Sequence, residues 1–291
     1  MKNKLSLFAV PYVGWMSIFV VAPIIIMVVY AFSTAAGDFT LENFARMGTY
    51  TAVFTRSFKL AIIATLIALL IGYPVSYMLS KEGPQVQRIA MVLIMLPMWM
   101  NFLLRTYSWM SILENNGLLN QLQIGLIDLY NQIAMHFASD PAAYVPIDHF
   151  QMIGTQGAVV LGMVYNYLPF MILPIYSVLV KLDHSLIEAA RDLGASSVQV
   201  FRKVILPLSL PGVLSGITMV FVPSVSTFAI SRLLGGGTQM MLGDLIEQQF
   251  LGGAYNPQLG AAIALVMMAI VVVCMLVMNR FGDGEEQAVM L

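Results

Sequence analysis

Long apolar runs decide what this chain can fold into before any single residue does. Six stand out, at roughly 6–32, 58–80, 88–112, 154–180, 209–232 and 258–280. A helix needs about 20 apolar residues to cross the hydrocarbon core of a bilayer, and each run is long enough. Only 10% of the residues are charged, against about 25% in ordinary soluble domains. So few charges cannot coat a water-exposed surface. The pattern predicts an all-α polytopic membrane protein, one transmembrane domain over 1–291 with six spanning helices. The first run follows Lys2 and Lys4, as a secretory signal would. A signal's apolar core is about 7–15 residues. This run is longer and continues past Ala22-Pro23, so it reads as a retained span.

Six spans put both termini on one side. Lys2, Lys4, Lys81, Arg88, Lys181, Arg191, Arg202, Lys203 and Arg280 fall on that side; Arg46, Arg56, Lys59, Arg105 and Arg232 fall on the other. Basic residues favour the cytoplasm, so the termini are expected there. The outer side also carries Asp38, Glu42, Glu114, Asp128, Asp140, Asp148, Asp244 and Glu247, for a net charge of −3. The whole chain carries −1, so nothing suggests a nucleic-acid partner. Cys274 stands alone, and His136, His149 and His184 are scattered, so no metal site is expected. The spans hold no histidine and no close acidic pair, which argues against an intramembrane enzyme. No Walker motif is present, so ATP hydrolysis by this chain is not expected.

Prolines at 23, 74, 97, 169, 174 and 223 interrupt the runs. A proline inside a helix frees a carbonyl and bends the axis, which membranes tolerate where the freed group faces protein or a water-filled path. Pro169 and Pro174 sit together in the fourth run beside Asn166, and Pro223 sits in the fifth. These two helices are candidates for lining a pathway; a bent, purely structural helix is the alternative.

The segment 183–207 is too charged to span and too well patterned for a loop. Asp183 and Ser185 are helix starters, and Ser185 and Glu188 have capping-box spacing. Ile187, Ala190 and Leu193 give a short apolar face, rimmed by Glu188, Arg191 and Asp192. Gly194 is placed to end that helix. Ser196 or Ser197 can cap a second one from Val198 to about Ile205, with Pro207 and Pro211 stopping it. A capped helix with an apolar knob suits a groove on a partner; an interfacial helix with Glu188 only as a cap is the bland alternative.

Glu188-Ala189-Ala190, Gly194 separated by nine residues from Val204, and Leu206-Pro207 resemble the EAA signature of ABC importer permeases, with Val204 where isoleucine is usual. The resemblance implies a type I importer fold in a bacterial inner membrane. It also implies a coupling contact made by Glu188, Ala189, Ala190, Arg191, Asp192, Gly194 and Pro207 with an ATPase subunit present in two copies, which would hold the ATP and magnesium. A second homologous permease chain and an outer substrate-binding protein would complete the assembly, and this chain would bind no cofactor. The stretches 96–110, 164–177, 181–196 and 233–250 look like permeases for polyamines such as spermidine and putrescine, while the loop 113–153 is longer than usual for them.

An aromatic face can hold a cation. Trp99, Tyr107, Tyr165 and Asn166, with Phe221 and Phe228, are the candidate path residues. Trp99, Leu103 and Tyr107 recur at four-residue steps, so one helix would align them; an interfacial aromatic belt is the alternative. Arg105 shares a different face with Asn101 and Ser108 and is free to be structural. Arg232 is expected to pair with Glu247 or Asp244 at an outer gate, or to remain a solvated loop charge. Importers of other small solutes, and an ion channel, remain open on the sequence.

Overall fold

The computed structural model describes residues 11–137 and 145–289, with backbone alone for Asn279 and 281–289. Lys2, Lys4, residues 6–10 of the first run and Asp140 lie outside the described residues. Among those described the fold is helical, with one isolated bridge between Ser33 and Phe39. Helix α1 covers Pro11–Ala31, α2 Thr51–Ser80, α3 Pro84–Trp99, α4 Phe102–Leu113, α5 Leu118–Phe137 and α6 Gln156–Leu179. Then come α7, His184–Asp192, α8, Ser197–Ser226, α9, Ala229–Leu234, α10, Leu242–Leu251, and α11, Pro257–Val289.

Helices α2, α6 and α8 pack closely on one another and form the centre. Their facing sides carry small residues, which let helix axes approach in a medium that gives no hydrophobic drive between helices. On α2 the buried stripe includes Ala61, Ala64, Ala68, Gly72 and Ser76. The Ser76 hydroxyl donates across the interface to the Ile172 carbonyl at 3.1 Å. On α8, Gly212 and Gly216 face α6 so closely that a Cβ on Gly212 would lie 2.9 Å from the Pro174 carbonyl oxygen. Helix α11 packs against α8, α10 and α1, and α1 is otherwise uncovered.

Five helices are long and apolar enough to cross a membrane, or six if one broken pair counts as one span. The broken pair corrects the third expected span. The run 88–112 is not one helix: α3 stops at Trp99, and the segment Phe102–Phe137 leaves it at 90°. Pro97 weakens the last turn, and Met100 and Asn101 are extended (ψ 148° and 129°). The Asn101 carboxamide oxygen then caps α4, accepting from the Leu103 and Leu104 amides at 2.8 and 3.3 Å. Buried Arg105 closes the break by donating at 2.5 Å to the Pro97 carbonyl, which also accepts from the Met100 amide at 3.3 Å.

The fifth run also differs. Pro207 and Pro211 do not stop a helix; α8 runs unbroken from Ser197. A π turn at Phe201–Ile205 precedes Pro207, and the Leu206 amide donates five residues back to the Phe201 carbonyl. The wider turn relieves the clash between a proline ring and the carbonyl four residues earlier. The same device precedes Pro23, where a π turn at Ser17–Val21 lets the Ala22 amide reach the Ser17 carbonyl. The chain breaks instead at Thr227 and Phe228, so Arg232 sits on the separate helix α9.

Candidate functional site

The segment 183–207 folds as a short helix ended by a left-handed glycine. Asp183, not Ser185, is the N-cap of α7: its carboxylate accepts from the Ser185 amide at 2.9 Å. That amide, with the Ser185 hydroxyl beside it, holds the Asp183 carboxyl below its usual range. No Ser185–Glu188 capping box forms, because Asp183 already occupies the cap. At the other end Gly194 has φ +82°. Its amide donates to the Arg191 carbonyl at 2.8 Å and the Ala195 amide to the Ala190 carbonyl at 3.0 Å, the paired bonds of a Schellman ending. Ser196 then caps α8, with Gln199 reciprocating.

Helix α7 has two unlike faces. Ile187 and Ala190 pack inward against the core that contains Leu179, Val200 and Ile205. Ala190 therefore belongs to the support of the helix, and the expected apolar face of Ile187, Ala190 and Leu193 is divided. Leu193 is 89% exposed and Leu186 is exposed too. They flank exposed Glu188, Ala189, Arg191 and Asp192. Among the described residues the Glu188 side chain makes no hydrogen bond or ion pair. Pro207 is half-buried in α8. Sequence reasoning passed over Leu186, although its place beside Glu188 and Ala189 on a nine-residue helix was legible.

The opposite end of the bundle is tied by polar contacts. Arg232 on α9 meets Glu247 on α10 in a two-pronged pair, with Nη1 to Oε1 at 3.1 Å and Nη2 to Oε2 at 2.5 Å. Asp244 is not its partner. Buried Asp244 accepts from the Ser231 hydroxyl at 2.5 Å and the Met241 amide at 3.0 Å, which caps α10. Burial raises the Asp244 pKa, and those two hydrogen bonds oppose the shift. Ser57 at the head of α2 accepts from the Leu242 amide at 2.8 Å. Gly154, before α6, donates to the Leu234 carbonyl at 2.8 Å. The α9–α10 segment is thus fastened to the ends of two central helices.

The candidate path residues have different surroundings. The break at Met100 separates Trp99, 73% exposed, from Tyr107, so no common helical face aligns them. Tyr165 meets Trp109 edge-on at 5.2 Å, and the Arg105 guanidinium lies 5.9 Å from its ring. Its face already serves a protein cation. Asn166 is buried and donates to the Gly162 carbonyl at 2.8 Å, while its carboxamide oxygen lacks a partner. Phe221 packs on Phe58 at 6.3 Å and lines an apolar groove of about 370 Å³ between α2, α8 and α11. Phe228 is exposed at the α8–α9 break.

A multi-pass helical bundle with this motif between two spans is the form of a transport subunit. Residues 5–284 match the family model of binding-protein-dependent transport system inner membrane components. The chain belongs to that family, the transmembrane permease subunits of ABC importers. It is 36% identical over 283 residues to the spermidine/putrescine transport system permease protein PotB of Haemophilus influenzae, covering 93% of each chain. Its identity to PotB of Escherichia coli is 35% over 281 residues, covering 93% of this chain and 95% of that one. A crystallised bacterial importer of the acidic polysaccharide alginate shares the fold, with TM-score 0.75, 15% identity, and coverage of 97% of this chain and 96% of that one. The methionine transporter MetNI shares it less fully, at TM-score 0.54 and 19% identity over 84% of this chain and 98% of that one. The architecture typical of the family joins such permeases to an ATPase, a second permease and a substrate-binding protein.

Proposed function

We propose that this chain is one half of the translocation path of a polyamine importer, with both termini in the cytoplasm and α7 as its contact with a separate ATPase. The observation that carries the docking reading is α7 itself. It is braced by Ile187 and Ala190 from behind, capped at both ends, and leaves Leu186, Ala189 and Leu193 open beside an unpaired Glu188. A short braced helix with an open apolar centre and charged rim fits a groove on a partner. Glu188, Ala189, Arg191, Asp192 and Gly194 belong to this contact; Ala190 and Pro207 support it. The ATPase, in two copies, carries ATP and magnesium. A second, homologous permease chain supplies the other half of the path, and an outer binding protein selects the solute first.

The polyamine reading rests on 36% identity to a spermidine/putrescine permease along nearly the whole chain. The outer acidic surplus is compatible with a polycation. Arg232, Asp244 and Glu247 stand as the outer gate of the path, with the Arg232–Glu247 pair as its latch. Trp99, Tyr107, Tyr165, Asn166, Phe221 and Phe228 are the residues assigned to the lining of the path.

One reconstituted complex tests both parts. Labelled spermidine should enter with ATP and be displaced by unlabelled spermidine or putrescine, and not by an anion of similar size. Displacement by the anion alone would defeat the polyamine reading. Glu188→Arg and Gly194→Asp should each lower co-purification of the ATPase. Full assembly and full coupled transport in both variants would defeat the docking reading.

A further inference from the structure

The outer connection between α4 and α6, expected as a loop, carries the 20-residue helix α5. Its inner side is occupied. Leu119 packs into the core beneath α4, and Gln123 is buried. The returning chain runs along one flank: the Asn131 carboxamide donates to the Ile147 carbonyl and accepts from the Ile147 amide, both at 2.9 Å. His149 Nε2 lies 3.1 Å from Asp128 Oδ1 on the same flank.

The outer side is divided into two stripes. Leu118, Leu122, Leu126, Leu129, Ile133 and Phe137 recur at steps of three and four residues, each between 51% and 82% exposed. Gln121, Asp128 and Gln132 are exposed on an adjoining face together with Met135, and exposed His136 falls near the end of the apolar stripe. A helix surrounded by water gains nothing by sorting its exposed residues, whereas one at a lipid–water boundary does. The axis agrees. Helix α3, in the broken third span, is 16 residues long, about 24 Å of rise, which brings Trp99 near the far side of the hydrocarbon layer. The segment Phe102–Phe137, whose longer part is α5, as a whole leaves α3 at 90°, so where α3 crosses the bilayer that segment runs along the membrane plane. Exposed Trp99 and Tyr107 at that turn are the residue types that favour the interface.

We propose that α5 lies in the outer leaflet as an in-plane amphipathic helix, with the Leu118–Phe137 stripe seated in lipid and Gln121 and Gln132 in water. The choice of leaflet rests on the orientation given under Proposed function; the lipid contact does not. Helix α5 has no lysine or arginine, so apolar insertion holds it rather than attraction to anionic headgroups. Phosphatidylcholine alone is therefore a sufficient partner.

The test uses the assembled importer in phosphatidylcholine nanodiscs, with Cys274→Ser removing the native thiol. An environment-sensitive fluorophore is attached through Leu126→Cys, Ile133→Cys or Gln132→Cys. The first two side chains are more than half exposed, so neither substitution empties the core. A nitroxide high on the lipid acyl chain should quench the labels at 126 and 133 at least about threefold more than the label at 132. Equal quenching at all three positions would overturn the proposal. So would stripe labels shielded from both the lipid nitroxide and an aqueous quencher, which would mean that a partner protein covers the face. Labelling of Gln132→Cys only from the lumen of right-side-out proteoliposomes would overturn the orientation and the leaflet, and would leave lipid contact standing.

Discussion

At Gly194 the backbone alone sets the requirement. Its φ is +82°, and an added Cβ would meet nothing within 4 Å. Sterics with neighbours therefore drop out, and only the left-handed conformation discriminates between substitutions. That conformation costs an ordinary residue about 1 kcal/mol and asparagine less. ATPase co-purification should fall in the order Gly194, Gly194→Asn, Gly194→Ala, Gly194→Val. A valine variant that assembles as well as the asparagine variant would refute this. Asp244 gives a second residue-scale expectation. Its carboxyl pKa is raised by burial, so the folded site favours the protonated form. The corresponding stability is fully present below the unfolded-state pKa and is lost as pH rises through the higher folded value. Asp244→Asn stays neutral and keeps an oxygen to accept from Ser231 and Met241. Thermal midpoints of the solubilised protein across a pH series should decline through that window in the wild type and stay flatter in Asp244→Asn. Parallel slopes would count against the assignment.

At the scale of elements, the six apolar runs were legible because membrane insertion demands length and apolarity, both of which a single sequence displays. The break after Trp99 was not. Pro97 looks in sequence like Pro74, Pro169, Pro174 and Pro223, and those four sit inside continuous helices. What separates Pro97 is the Asn101 cap and Arg105 reaching back to the Pro97 carbonyl, and the second of these is visible only in three dimensions. The helix α5 was hidden for another reason: its polar residues keep it from reading as a span. The close approach of α8 to α6 was legible and passed over, since Gly212 and Gly216 have the four-residue spacing of small-residue packing. The two glycines are not equivalent. A Cβ at 212 meets the Pro174 carbonyl oxygen at 2.9 Å and the Ile175 Cα at 3.1 Å, which are backbone atoms. At 216 its nearest neighbour is the Met171 sulfur at 2.8 Å, on a side chain that can swing aside, and the nearest backbone atom is the Met171 carbonyl oxygen at 3.1 Å. Gly212→Ala should destabilise by about 1–3 kcal/mol, the usual cost of overpacking, and Gly216→Ala by less. Chemical unfolding of the purified permease in detergent decides; an equal or reversed order would show that α6 moves as a body.

Across the whole molecule, the candidate contact with the ATPase and the Arg232–Glu247 pair sit at opposite ends of the same central helices. Helix α7 leads directly into α8, and α8 leads through the Thr227–Phe228 break into α9, which carries Arg232. Gly154, one residue before the Thr155 cap of α6, is bonded to Leu234 at the end of α9. If α7 moves on docking, α8 is the continuous route from it to the Arg232–Glu247 pair, with the extended residue Thr227 as the joint. If the pair latches the outer ends, Glu247→Arg or Arg232→Glu opposes like charges across that joint and should lower ATP-driven uptake several-fold while ATPase co-purification stays unchanged, because α7 is untouched. The double exchange restores opposite charges at the same separation, so it should recover much of the lost uptake. Both side chains are partly exposed, and the single-variant defects should shrink as salt rises. Uptake by proteoliposomes at low and high salt reads all three variants. A double exchange no better than either single one would make Arg232 and Glu247 neighbours without a shared role.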